Sequence, residues 1–178
     1  MRTIFSTCAL AYVSAFLTAC VSVDQRASTE VVDRERTRSL SGEFTNGASY
    51  RTSGEFIAVG NLAELFHVPA SGADRVRITR DAADTLRLTW FQGPREWETI
   101  TFARDKLHFP EDGSIEIPAE TRSSFKEGAG GYTTTTLRLF VTTKGDLATI
   151  QTNSSVGVIG IVPVGLYAKH LALFARLP

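Results

Sequence analysis

From residue 39 to the end of the chain, apolar and polar side chains alternate in short runs. Val76 and Ile78 alternate with Arg75, Arg77 and Thr79, and Leu86, Leu88 and Trp90 with Arg87, Thr89 and Phe91. Ile100 and Phe102 alternate with Thr99 and Thr101, and Leu137, Leu139 and Val141 with Arg138, Phe140 and Thr142. Successive side chains of a strand point to opposite faces, so each run predicts a strand with one buried face. Turn chemistry separates the runs: Asn46-Gly47, Gln92-Gly93-Pro94, Asp112-Gly113, Gly128-Ala129-Gly130-Gly131 and Lys144-Gly145-Asp146. The last joins two long strands and reads as a tight hairpin.

Residues 61–68 alone read as a helix. Leu62, Leu65 and Phe66 are spaced for one face, Asn61 is a suitable cap, and Pro69 ends the element. Two late segments, 156–166 and 166–177, are apolar on both faces, and strands of that kind are normally covered on both sides. The expected fold is therefore mainly β: a single antiparallel meander of about eight or nine strands forming a small barrel or sandwich, with one short helix near 61–68.

The N-terminus has a different pattern. Arg2 is followed by an uncharged, largely apolar run over residues 4–19, and a polar segment follows at once. The run is shorter than the roughly 20 residues that span a bilayer, which favours a cleaved export signal. It ends in Leu17-Thr18-Ala19-Cys20, which resembles the lipobox of bacterial lipoproteins. The resemblance implies a diacylglyceryl group on the Cys20 sulfur, cleavage before Cys20 and often acylation of the new amine, with palmitate a usual chain. Two or more acyl chains anchor a protein stably, where one holds it only reversibly. An ordinary secretory signal, with Ala15 and Ala19 as the small residues at the cleavage site, is the alternative. Val21 stands where an aspartate would favour retention in the inner membrane, so the resemblance points to the outer membrane and its periplasmic face, with the inner membrane as the alternative. The domain division is thus 1–19 signal, 20–38 lipidated tether and 39–178 β domain. The tether reading rests on the polar, mixed-charge composition of 21–38; its alternative is a short helix over 29–38. The opening Leu40-Ser41-Gly42-Glu43-Phe44 and the closing Phe174-Ala175-Arg176 are similar to uncharacterised small proteobacterial lipoproteins. They are distantly similar to lipocalin-like barrels, in which a tryptophan stands where this chain has Phe44.

Charge is balanced, with 19 basic and 19 acidic residues. That argues against a partner such as nucleic acid, which demands a basic excess. There are two cysteines, Cys8 and Cys20. Loss of the first with the signal and lipidation of the second leave no thiol for a disulfide, a nucleophile or a metal site.

Other chemistry is sparse. His67, His108 and His170 are scattered at no ligand spacing, which argues against zinc. They read instead as a helix-end cation, a sheet-face residue and a packed imidazole. Gly-x-Ser-x-Gly is absent. Glu96 with Glu98, or Glu116 with Glu120, would suit glycosidase chemistry only across a cleft, and otherwise read as solvated faces. The run 128–131 lacks the lysine and hydroxyl of a phosphate loop. Asn153-Ser154-Ser155 matches a glycosylation sequon that carries no meaning in a bacterial envelope. Arg75, Arg77 and Arg87 could meet lipid phosphates, but Asp74, Asp81 and Asp84 lie near them and favour a salt-bridged face. Residues 156–164 could dip into a membrane, but their β-branched content favours a buried strand. No catalytic residue, metal or cofactor is expected. The expected role is a membrane-anchored module that binds an envelope protein or, as a lipocalin-like carrier, an apolar ligand or lipid; a hydrolase is the remote alternative.

Overall fold

The computed structural model describes residues 19–23, 30–38, 40–51, 60–126, 129–159 and 162–178. The expected export signal apart from Ala19, and the middle of the expected tether, lie outside these residues. The described chain is mainly β, with ten strands in two stacked sheets. The sheets do not close on each other, so of the two expected architectures the sandwich is the one that fits.

The smaller sheet runs β2 (Gly42–Thr45), β4 (Arg75–Arg80), β5 (Leu86–Gln92), β6 (Arg95–Phe102), all antiparallel. Its alternation holds along β4 and the start of β5, but Thr89 and Phe91, expected opposite the buried face, are buried as well. Val76, Ile78, Leu86, Leu88 and Trp90 are buried, while Arg77, Thr79 and Arg87 face solvent. Gly93, at φ 56°, supplies the left-handed residue of the β5–β6 turn, and its N–H donates to Asp74 at 2.8 Å.

The larger sheet is a true meander: β7 (Ile115–Lys126), β8 (Ala129–Val141), β9 (Leu147–Ile159) and β10 (Val162–Phe174), each antiparallel to the last. Gly145, at φ 94°, makes the predicted β8–β9 hairpin. Two further strands pair with β10: β3 (Tyr50–Arg51), antiparallel opposite Ala172 and Leu173, and β1 (Ala19–Val23), parallel opposite residues 165–169. The lower half of the larger sheet is covered on both faces. Ile115, Leu139, Val141, Leu147 and Phe174 pack toward the smaller sheet. Phe140, Ala148, Ile150, Leu171 and Leu173 form a second cluster on the outer face, with Val32 and Tyr50 against them.

Val32 belongs to the stretch read as tether. Residues 30–38 instead carry the alternative, a short helix, at α1 (Arg34–Arg38), and they pack on the sheet. The reason lies in β7, which begins at Ile115 opposite Leu139 and so leaves Val141 with an unpaired edge. Asp33 donates its N–H to the Val141 carbonyl at 2.8 Å, and Thr37 Oγ1 accepts the Val141 N–H at 2.9 Å. Thr37 also donates to the Asp33 carbonyl at 2.7 Å, so one hydroxyl closes the helix and fastens it to the sheet.

A second departure concerns the late apolar strands. Residues 156–166 were expected to be covered on both sides, yet Val156, Val158 and Ile159 are 63%, 46% and 61% exposed. Length explains this. Strands β8, β9 and β10 have 13 residues each, against 4 to 8 in the smaller sheet. At ~3.3 Å per residue the long strands outrun the second layer, and their far halves project as a single sheet. The glycine run read as a hairpin connection lies partly inside β8: Gly130 and Gly131 are strand residues, while residue 128 lies outside the described ones. Gly131 stands opposite Gly157, and a Cβ on Gly131 would sit 2.6 Å from the Val156 carbonyl oxygen. Only glycine allows so close an approach.

Candidate binding groove

The expected helix forms as α2 (Leu62–Leu65), and the Asn61 side chain caps it by accepting the Glu64 N–H at 2.9 Å. What fixes α2 in place is Asn46, read from sequence only as a turn residue beside Gly47. Its side chain is buried. Its Oδ1 accepts the Ala63 N–H at 3.1 Å and the Trp90 indole N–H at 3.2 Å, and its Nδ2 donates to the Ala73 carbonyl at 3.0 Å. One amide thus ties the helix, the loop before β4 and the centre of β5. Phe66, just past the helix, rests on the edge of Trp90 and against Phe102, each at a centroid distance of 5.9 Å.

Held this way, α2 and the loop after it form one wall of a groove whose floor is the inward face of the projecting sheet. Its volume is about 1020 Å³ and it is open to solvent. The end nearest the core is apolar, with Leu65, Phe66, Val68, Phe102, Ile117 and Leu137. The middle is a lattice of hydroxyls and amides. Thr133 and Ser155 share a hydrogen bond at 2.8 Å, Thr135 donates to Asn153 at 2.9 Å, and Gln151 donates to the same Asn153 oxygen at 3.3 Å. Leu166 and Ala168 line the β10 side, and Arg122 and Ser124 the β7 side. Side chains on this face are core residues lower down; here the middle ones on β8 and β9 are neutral and polar, with Arg122 the charged residue on the β7 side. That arrangement fits a ligand with an apolar end and a hydrogen-bonding body.

The residues considered for chemistry do not converge. His67 follows α2 in the left-handed region, at φ 53°, and lines the groove mouth. His108 forms a bridge with Glu116, its Nδ1 3.8 Å from the carboxylate. His170 is buried in β10, where Arg51, Thr149 and Gln151 border a space of about 10 Å³, room for no more than a water. Among the described residues no three His, Cys, Asp or Glu side chains form a group able to hold a metal. Glu96 accepts from Thr99 at 3.0 Å, and a bulge between Trp90 and Phe91 interrupts the register opposite Glu96 and Glu98. Glu116 lies opposite Arg138 and Glu120 opposite Thr135. Arg75 and Arg77 both pair with Glu43 on neighbouring β2, at 3.1 and 2.5 Å, Arg75 also meets the expected Asp74 at 3.6 Å, and both arginines lie 4.9 Å from the Phe91 ring. Asp84 is held by Arg80 and Arg104, and Asp81 accepts the N–H groups of Ala83 and Thr85.

At the base of the β7–β8 pair, Asp112 accepts from the Ser114 hydroxyl at 2.6 Å and from the Ser114 N–H at 2.9 Å, and it pairs with Arg138. Partial burial pushes the Asp112 carboxyl up, but the Ser114 bonds and the Arg138 charge outweigh it and hold the group below its ordinary value.

The groove went unseen in the sequence reading, although its signal is present. Thr133 and Thr135 take up the inward-facing positions that Leu137 and Leu139 hold lower on β8. No family model, curated protein or solved structure matches the chain. Among the described residues no helix is long and apolar enough to cross a membrane.

Proposed function

We propose that this protein is a lipid-anchored binding module of the bacterial cell envelope, attached through Cys20 and taking its ligand in the groove beneath α2. The groove carries the reading: it is large, open, apolar at one end and lined through its middle by the neutral hydrogen-bonding groups of Thr133, Thr135, Gln151, Asn153 and Ser155. The neutral polar middle suits recognition by shape and hydrogen bonds, and Glu64 on the α2 wall and Arg122 on the β7 side add one charge of each sign. The lipobox resemblance supports the anchor, and Val21 supports outer-membrane placement. A carrier of an apolar ligand would use the same groove, with the ligand lying along the sheet instead of inside a closed barrel.

The test is to purify the lipoprotein in mild detergent and identify lipids and proteins that co-purify by mass spectrometry. The Ala168→Trp and Thr135→Trp variants, which fill the groove floor, serve as controls. A species enriched with the native chain and lost from both variants supports the module. Enrichment unchanged by filling the groove overturns the assignment of the groove.

A further inference from the structure

We infer that the free end of the larger sheet seats in the lipid surface that holds the Cys20 anchor, with Val158, Ile159 and Pro163 entering the headgroup–acyl boundary. The inference rests on the lipoprotein reading of Cys20 and adds a second contact between protein and membrane.

Three observations converge on it. The first is where exposed apolar surface lies. Of the eight large apolar side chains exposed among the described residues, six (Val23, Tyr132, Val156, Val158, Ile159 and Tyr167) are in the projecting half of the larger sheet or on β1 beside it. The second is charge. From Leu147 to Ala168 the chain carries no charged residue, an uncharged stretch bounded by Asp146 and Lys169. A strand pair that met only water would be expected to break such a run with charges, which also guard exposed sheets against aggregation. The third is the register of β1. Cys20 stands opposite Leu166, and Leu166 opposite Ser155, which puts the lipidated residue on the same projecting end. A tether running free of the domain would give the anchor no fixed relation to this surface; parallel pairing along β10 does.

The polarity is graded as an interface requires. Ile159 and Val162 form the tip rung, which continues through Ala129 to Lys126 on β7; Val158 and Pro163 come next, then Val156 and Tyr132, then Tyr167 and Ser154, and then Lys169 and Thr152. Tyrosines at headgroup level below an apolar edge are the arrangement favoured at a membrane boundary, where the ring is apolar and the hydroxyl is wet. Rungs at ~3.3 Å put Val158 and Ile159 about 7–10 Å beyond Val156, matching the ~5–10 Å depth of interfacial insertion. Deeper entry is barred because the open edges of the sheet carry backbone groups that hydrocarbon cannot satisfy. The groove floor lies on the inward face of the same strands.

The test uses the lipoprotein extracted from bacterial membranes and reconstituted into vesicles of phosphatidylethanolamine and phosphatidylglycerol. V158C and, as a control on the smaller sheet, R87C are labelled with a polarity-sensitive fluorophore. Intact-mass measurement comes first: a chain without a diacylglyceryl group, or one labelled at Cys20, overturns the anchor and this inference with it. With the anchor present, the probe at 158 is expected to shift to the blue and to be quenched several-fold more by headgroup-labelled quencher lipids than the probe at 87. Water-like emission at both positions overturns the seat and leaves the anchor standing. A blue shift at 158 that persists without quenching, with cross-linking between two copies at this position, assigns the surface to a second copy and also overturns the seat.

Discussion

The lower and upper halves of the larger sheet are made from the same four strands and the same kind of alternation, yet they live in different surroundings. Below, Leu139, Phe140, Ile150, Leu171 and Phe174 are enclosed by the smaller sheet on one face and by residues 30–38 with Tyr50 on the other. Above, Tyr132, Val156, Val158 and Ile159 have no second layer of described protein over them. Stability is concentrated in the lower half, because burial of apolar area is the main favourable term in folding. The upper half adds little core but supplies the groove floor and the apolar end. Division of one sheet into an enclosed half and an uncovered half is the physical content of the fold.

That contrast predicts a steep gradient in the cost of substitutions. Phe140→Ala, in the enclosed half, should destabilise the protein by about 3–5 kcal/mol in chemical denaturation, as large-to-small changes in packed cores do. Asn46→Leu follows, at about 3 kcal/mol or more, because the Ala63 N–H, Ala73 carbonyl and Trp90 N–H are all left buried without their partner. Thr37→Val removes the hydroxyl that fastens α1 to Val141 and should cost about 1–2 kcal/mol. It should also raise amide exchange at Val141 ahead of exchange at Ile150.

The base of β7 carries the pH dependence. The folded pKa of Asp112 lies below its ordinary value of 3.8, so its contribution is fully present above that value. It is lost as the pH falls through the lower folded value. Wild-type stability should therefore drop more between about pH 5 and pH 2 than that of Asp112→Asn, measured by denaturation at stepped pH. The smallest effect belongs to the projecting end. Val158→Ser should alter stability in detergent solution by no more than about 0.5 kcal/mol, as exposed substitutions do. A cost near that of Phe140→Ala would show that the end is enclosed after all and would erase the comparison.

Much of the framework is legible in the sequence because alternation reports directly on one-sided burial. The strands around Val76, Leu88 and Leu139, the turns at Gly93 and Gly145, and the cap at Asn61 all follow from local chemistry. Four features escaped for a common reason: each depends on what lies across from a residue rather than beside it. Apolar content at Val156 and Val158 foretells a strand but not whether protein covers it. Asn46-Gly47 has the composition of a turn, and only the meeting of α2, β5 and the loop before β4 turns the asparagine into a buried fastener. Residues 30–38 have a tether's composition, and a single vacant position at Val141 is enough to dock them. The groove is readable only once Thr133, Thr135 and Asn153 are placed on the face that elsewhere is core.

The pairing of β1 with β10 sets how far the domain can stray. With Cys20 zipped opposite Leu166, an acylated sulfur would have almost no slack. Were β1 to peel away, about 12 residues between Cys20 and Val32 would pay out, a reach of up to ~40 Å from the docked Val32. The short parallel strand would then act as a latch on a retractable leash, with one setting that presses the domain to the lipid surface and another that lets it search the space above.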